Sequence, residues 1–135
     1  MNIQSSSATT SPSSSTSQLS AAATPGPSSD CAGSNGTIYS SLFLNGLAGV
    51  VPSSAGLKFT KVCSTEQYGF NLALAYVSTF EACIELCASL NFWNQDRNCL
   101  GGAYKPIGGM PGNCWAHNVR NSMASTDFDS AVLIT

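Results

Sequence analysis

Charge is scarce in this sequence. Only 9% of its 135 residues are Asp, Glu, Lys or Arg, and none of these precedes Asp30. Five basic and seven acidic residues give a net charge of −2, and the densest basic pairing is Lys58 with Lys61. Nucleic-acid binding needs a cationic stripe to neutralise phosphates, so that function class is excluded. Long hydrophobic runs are missing as well. The longest, Leu42–Val51, is interrupted by Asn45 and is about half of the roughly 20 residues a bilayer requires, so no membrane span is expected. Met1-Asn2-Ile3-Gln4 has neither the basic start nor the apolar core of a signal peptide. An export signal or membrane anchor lost upstream is the expectation. Histidine occurs once, at His117, and Asp96, Asp127 and Asp129 do not have the spacing of a calcium loop.

The first thirty residues also lack cysteine, and half of them are Ser or Thr, with prolines at Pro12, Pro25 and Pro27. So little apolar surface cannot offset the entropy of ordering the segment. Residues 1–30 therefore read as a disordered Ser/Thr-rich stalk, of a composition shared by O-glycosylated stalks and plain linkers. One folded domain is expected over residues 31–135.

All six cysteines fall in that domain: Cys31, Cys63, Cys83, Cys87, Cys99 and Cys114. An even count in so short a span reads as a disulfide framework, which persists only outside the reducing cytosol. An extracellular or cell-surface location follows as the expectation. Asn35-Gly36-Thr37 is an N-glycosylation sequon beside Cys31, and Asn35 is the expected glycan site.

One helix is legible. Ser78-Thr79-Phe80-Glu81 has the form of a capping box, and Phe80, Cys83, Ile84, Cys87 and Leu90 then recur at three- and four-residue steps. Glu81, Glu85 and Ala88 lie off that apolar face, and Asn91 marks a stop. The remainder reads as strands. Phe70, Leu72, Leu74 and Tyr76 alternate with smaller neighbours, and Leu57–Cys63 is a second candidate. Leu100–Tyr104 and Asn113–His117 flank a Gly/Pro-rich hairpin loop, while Ala131–Ile134 and Thr37–Ser40 complete the set. The fold class is α+β, a curved antiparallel sheet with one helix packed on it.

Helical spacing sets Cys83 and Cys87 about 6 Å apart at Cβ, whereas a disulfide needs about 3.8 Å. Those two are therefore not bonded to each other, and the strands behind the helix offer Cys99 and Cys114 as partners. The other pairings stay open on geometry alone.

Phe80-Glu81-x-Cys83-x-x-x-Cys87, Cys99 opening a strand, and Cys114-Trp115 in the next resemble the core of PAN/apple domains. The resemblance is nearest to fungal secreted or membrane-anchored members, through Cys31-x-x-Ser34-Asn35-Gly36-Thr37-x-Tyr39, Phe59-x-x-x-Cys63, Gly112-Asn113-Cys114-Trp115 and Asp129-Ser130-Ala131-Val132-Leu133. It implies disulfides Cys83–Cys114 and Cys87–Cys99, and with them Cys31–Cys63. It further implies a non-catalytic binding or adhesion module for a protein or cell-wall carbohydrate. The rival is a structural, stalk-displayed domain with no specific ligand. Two departures stand out: Ala116-His117 replaces the family's apolar-then-Lys pair after Cys114, and Leu42–Val51 is unusually apolar.

Catalysis and metal binding are not expected, and neither is a cofactor. Cys114 three residues from His117 suggests a Cys–His nucleophile only until the cysteine is assigned to a disulfide, and Cys83-x-x-x-Cys87 lacks zinc-knuckle spacing. For ligand contacts the expectation falls on the hairpin and its flanks: Tyr104, Trp115, His117 and Arg120. If Cys114 faces the helix, strand alternation turns Trp115 and His117 together to the opposite face, and Arg120 can donate planar hydrogen bonds nearby. The competing expectation is that the 42–51 segment folds over this face and buries Trp115. Trp93 is expected in a loop after the helix.

Overall fold

The helix is the centre from which the rest is placed. In the computed structural model, which describes residues 26–43 and 57–134, helix α1 spans Phe80–Asn94. Its N-cap is Thr79, not Ser78: the Thr79 hydroxyl accepts from the Ala82 N–H at 3.1 Å. Glu81 does not reach back to close a capping box but bonds Lys61, at 2.6 Å. The helix also runs past Asn91 to a left-handed Gln95. Asn91 cannot act as a stop because its carboxamide is wholly buried and grips Cys99, accepting from the Cys99 N–H (2.8 Å) and donating to its C=O (2.9 Å). Trp93 consequently sits in the last helical turn, exposed, and not in a loop.

The fold is α+β, as its periodicities imply. The described residues contain eight strands in chain order: β1 (Ile38–Ser40), β2 (Lys58–Val62), β3 (Thr65–Gln67), β4 (Asn71–Ala75), β5 (Gly101–Tyr104), β6 (Cys114–His117), β7 (Ser122–Ala124) and β8 (Asp129–Leu133). Six form one antiparallel sheet in the order β1-β2-β8-β5-β6-β4, and β3 pairs with β7 in a separate ribbon. Neither ribbon strand is legible in the hydrophobic pattern, since Thr65-Glu66-Gln67 and Ser122-Met123-Ala124 carry almost no alternation.

Register decides which side chains meet the helix. Tyr104 pairs with Cys114, Gly102 with Ala116 and Ala131, and Phe59 with Leu133; directly paired residues share a face. Phe59, Tyr104, Cys114, Ala116, Ala131 and Leu133 are buried with Phe80, Cys83, Ile84 and Cys87 in one core. Phe80 stacks on Tyr104 with ring centroids 6.0 Å apart. The disulfides are Cys83–Cys114, Cys87–Cys99 and Cys31–Cys63, the set that the resemblance implies, and the described residues contain no free cysteine. Two of them rivet consecutive turns of α1 to the β5–β6 layer.

The opposite flank of α1 is covered too, contrary to the expectation of a single buried side. Ala88 is fully buried. The Glu85 carboxylate accepts from the Tyr39 hydroxyl, the Ser41 hydroxyl (2.7 Å) and the Leu42 N–H (2.9 Å). Glu81 and Asp30 share the Lys61 ammonium, at 2.6 and 3.4 Å. Residues ahead of Cys31 join the fold in the same way: Ser28 bridges to Thr79, and the Ser29 hydroxyl donates to Asp129 at 2.6 Å. Residues 28–30, which the expected boundary assigns to the stalk, therefore make contacts with the fold; residues 1–25 of the stalk lie outside the described residues. Of the apolar 42–51 segment, Phe43 packs on Phe92, 4.8 Å away, beside Trp93 on the helix, and residues 44–51 lie outside the described residues.

A β-bulge between Asn71 and Ala73 breaks the expected one-sided row in β4. Leu74 pairs with Trp115 on the face away from the helix, while Leu72 lines a crevice with Leu90 and Asn91 on the helix side. A bulge places two successive residues against one partner residue and so reverses the alternation beyond it.

Candidate binding cleft

The sheet face away from α1 has its smallest residues along its central strand. Two cross-strand rows run over it: Val132, Gly101, His117 and Asn71 in one, and Ser130, Ala103, Trp115 and Leu74 in the other. Gly101 and Ala103 on the central strand β5 leave a hollow between the β6 side chains and β8. The β3–β7 ribbon lies over part of it. A Cβ on Gly101 would stand 2.3 Å from Gln67 Oε1 and 2.4 Å from the Ala131 carbonyl oxygen, so glycine is what lets the ribbon approach. Gly69, at φ +140°, turns the chain out of the ribbon at a point where a side chain would collide with Val119.

What remains open is a cleft of about 330 Å³ lined chiefly by Glu66, Gln67, Tyr68, Trp115, His117 and Phe128, with Asn71 at one end. The Trp115 ring rests on Phe128 at a centroid distance of 5.7 Å, and the Lys105 ammonium lies 5.7 Å from the Phe128 ring. Gln67 is 1% exposed and His117 4%. The Gln67 Nε2 donates to the Val119 carbonyl at 2.9 Å, and its backbone N–H is held by the Ser130 hydroxyl at 3.0 Å. Among the described residues, Gln67 Oε1 and both ring nitrogens of His117 have no hydrogen-bond partner. Burial pushes the His117 pKa down, and the nearby Phe70 carbonyl and Glu66 carboxylate oppose that only in part. The Phe70 carbonyl also accepts from the Asn118 N–H, at 3.3 Å. His117 is thus a neutral imidazole at pH 7, with one donor and one acceptor nitrogen. Buried polar atoms without partners are uncommon and costly, and here they lie beneath an open cleft.

Among the residues expected from sequence to touch a ligand, the structure brings Trp115 and His117 together on this face. Tyr104 is a correction: its partner Cys114 faces the helix, so its ring is core and wholly buried. Arg120 is exposed and is not brought into the cleft. It lies beyond the end of β6, outside the cleft lining, and its Nη1 donates to the Leu133 carbonyl at 2.9 Å, beside Arg97, whose Nη2 donates to Ile134. Asn35 is exposed, its Oδ1 accepting from the Cys63 N–H at 2.9 Å.

Gln67, Glu66, Tyr68, Asn71 and Phe128 are not identified from the sequence. The available signal is the run Gly101-Gly102-Ala103 in a central strand, since missing side chains there mark a close approach of something else. The cluster of possible metal ligands found among the described residues, Cys31, Cys63 and Asp129, has both sulfurs in a disulfide. Three disulfides are compatible with an extracellular or secreted protein. No helix among the described residues is long and apolar enough to cross a membrane. No protein-family model and no curated protein matches the chain.

Proposed function

We propose that the chain is an extracellular, non-catalytic binding module of PAN/apple type, and that it engages a protein or carbohydrate ligand through the cleft between the β3–β7 ribbon and the main sheet. The observation that carries this reading is the pairing of Trp115 with a buried, hydrogen-bond-free His117 beside an open cleft, on the face the helix leaves uncovered. The cysteine and motif resemblance and the three disulfides support the module type. Ligand sites combine an apolar wall with a few placed polar groups, and aromatic residues dominate binding hot spots. A glycan on Asn35 would sit on the turn beside Cys31, and Asn35 is not one of the lining residues.

The test uses the full chain carrying Trp93→Phe, which leaves Trp115 as the sole indole. Titration with a glycan panel and with cell-surface protein fractions should shift Trp115 emission saturably, and His117→Ala should weaken the response. If no panel member perturbs Trp115, the domain is a structural one, displayed without a specific ligand.

A further inference from the structure

Resting on that reading, we propose that the cleft takes a neutral, hydroxyl-rich ring, the chemistry of an uncharged monosaccharide unit. Its C–H face lies on Trp115 and one hydroxyl donates to Gln67 Oε1. The orientation of the Gln67 carboxamide settles the first contact. Its nitrogen end faces the Val119 carbonyl at 2.9 Å, and a flipped amide would oppose two oxygens there. Oε1 is therefore the unpartnered end; it can only accept, and because it is buried over Gly101 a hydroxyl reaches it on a small outward shift of the ribbon. Glu66 adds two more acceptor oxygens, and neutral His117 supplies one donor and one acceptor. A group that both donates and accepts fits this set, and a hydroxyl is the smallest that does so.

Charge and shape narrow the class further. Glu66 is the one charged side chain among the lining residues, and the Lys105 ammonium stands on the Phe128 ring, outside the lining. A phosphate, sulfate or uronate would meet a carboxylate with no cation lining the cleft to pair with it. A quaternary ammonium wants aromatic faces around it. Trp115 and Phe128 are tilted 51° to each other, so the Trp115 indole is the flat apolar surface offered to a sugar ring, and Tyr68 with Glu66 makes choline the competing occupant that the experiment decides. The volume of about 330 Å³ is at the small end of the roughly 300–1,000 Å³ of ligand pockets, enough for a small ring.

The experiment follows the Trp115 indole and Gln67 carboxamide signals by NMR on the ¹⁵N-labelled full chain. The probes are the methyl glycosides of glucose, galactose, mannose and N-acetylglucosamine, with glucuronate, choline and an N-acetylated peptide amide alongside. At least one neutral glycoside should shift both signals saturably, whereas glucuronate and choline should not. Gln67→Met should weaken that binding about tenfold, the worth of one net hydrogen bond. Glu66→Gln, which leaves the ribbon backbone untouched, should admit glucuronate. Saturation by choline, glucuronate or the peptide with none by the neutral glycosides overturns the sugar assignment and leaves the binding cleft standing. An unchanged preference against glucuronate in Glu66→Gln overturns the charge argument. If no probe of any class moves the Trp115 signal, both this inference and the reading beneath it fall.

Discussion

The two faces of the six-stranded sheet are organised by opposite rules. Toward α1, the core side chains are matched: Phe80 on Tyr104, Cys83 and Cys87 bonded into the β5–β6 layer, and Asn91 closed on both backbone groups of Cys99. Away from α1, the central strand has only Gly101 and Ala103 to offer, the covering ribbon is two three-residue strands, and Gln67 and His117 keep polar atoms without partners. Close packing with satisfied polar groups is what stability rewards. The outer face departs from that arrangement where Trp115 is half-exposed, so the difference separates a stabilising face from a face with room for a ligand.

The largest effect should come from unriveting the helix. Replacing Cys83 and Cys114 together by alanine should cost about 2–5 kcal/mol, enough to unfold much of a domain this size. Urea denaturation at neutral pH measures it, and a loss no greater than that of an outer-face substitution would erase the contrast between the faces. Next is the ion cluster on the flank of α1. Lys61→Met leaves Glu81 without its cation; because Glu81 is about a third exposed, the expected cost is about 2–4 kcal/mol, below that of a fully buried pair. The same cluster sets an acid limb: hydrogen bonding with Glu81, together with Lys61, holds the Asp30 carboxyl below its ordinary 3.8. Its contribution is complete above that value and is lost as the pH falls through the depressed one.

Gly101→Ala should act on the outer face alone. Its methyl would collide with the Gln67 carboxamide and the Ala131 carbonyl, costing about 1–3 kcal/mol by overpacking. The Gln67 side-chain signals should move while those of Asn91, on the helix face, stay in place. The smallest effect is a pH dependence. Burial holds the His117 pKa below its ordinary 6.5, so the unfolded chain takes up the proton first. The stability tied to neutral His117 is present above that ordinary value and is lost as the pH falls through the folded one. Melting curves from pH 8 down to 5 should show the decline, and His117→Gln should flatten it. That window lies above the Asp30 limb, so the two are separable.

Much of the helix face is legible in the sequence because its signals are local. The three- and four-residue spacing of Phe80, Cys83, Ile84 and Cys87 defines a buried stripe, and it excludes the Cys83–Cys87 bond. Alternation in Cys114-Trp115-Ala116-His117 is enough to send Trp115 and His117 to the same side. Tyr104 is misread for want of one datum, the register that sets it opposite Cys114. Leu72 is misread because a bulge, which reverses alternation, leaves no mark in a row of large and small residues. The stop assigned to Asn91 fails because a carboxamide that ends a helix when exposed can also be buried within one, given a backbone partner such as Cys99.

The sequence by itself determined the class of the protein: sparse charge, six clustered cysteines and one amphipathic helix specify a disulfide-stapled α+β domain, since each is a property of composition or of spacing along a single element. Tertiary structure alone decided the cleft. Glu66, Gln67 and Tyr68 come from a ribbon without hydrophobic alternation and its exit, Trp115 and His117 from a strand about fifty residues further along the chain, and Phe128 from the approach to β8. They meet only because Gly101 and Ala103, side by side with β6 in the sheet, leave a space that the ribbon enters. Spacing along a chain reports which face a residue takes, but not what the rest of the chain lays against that face.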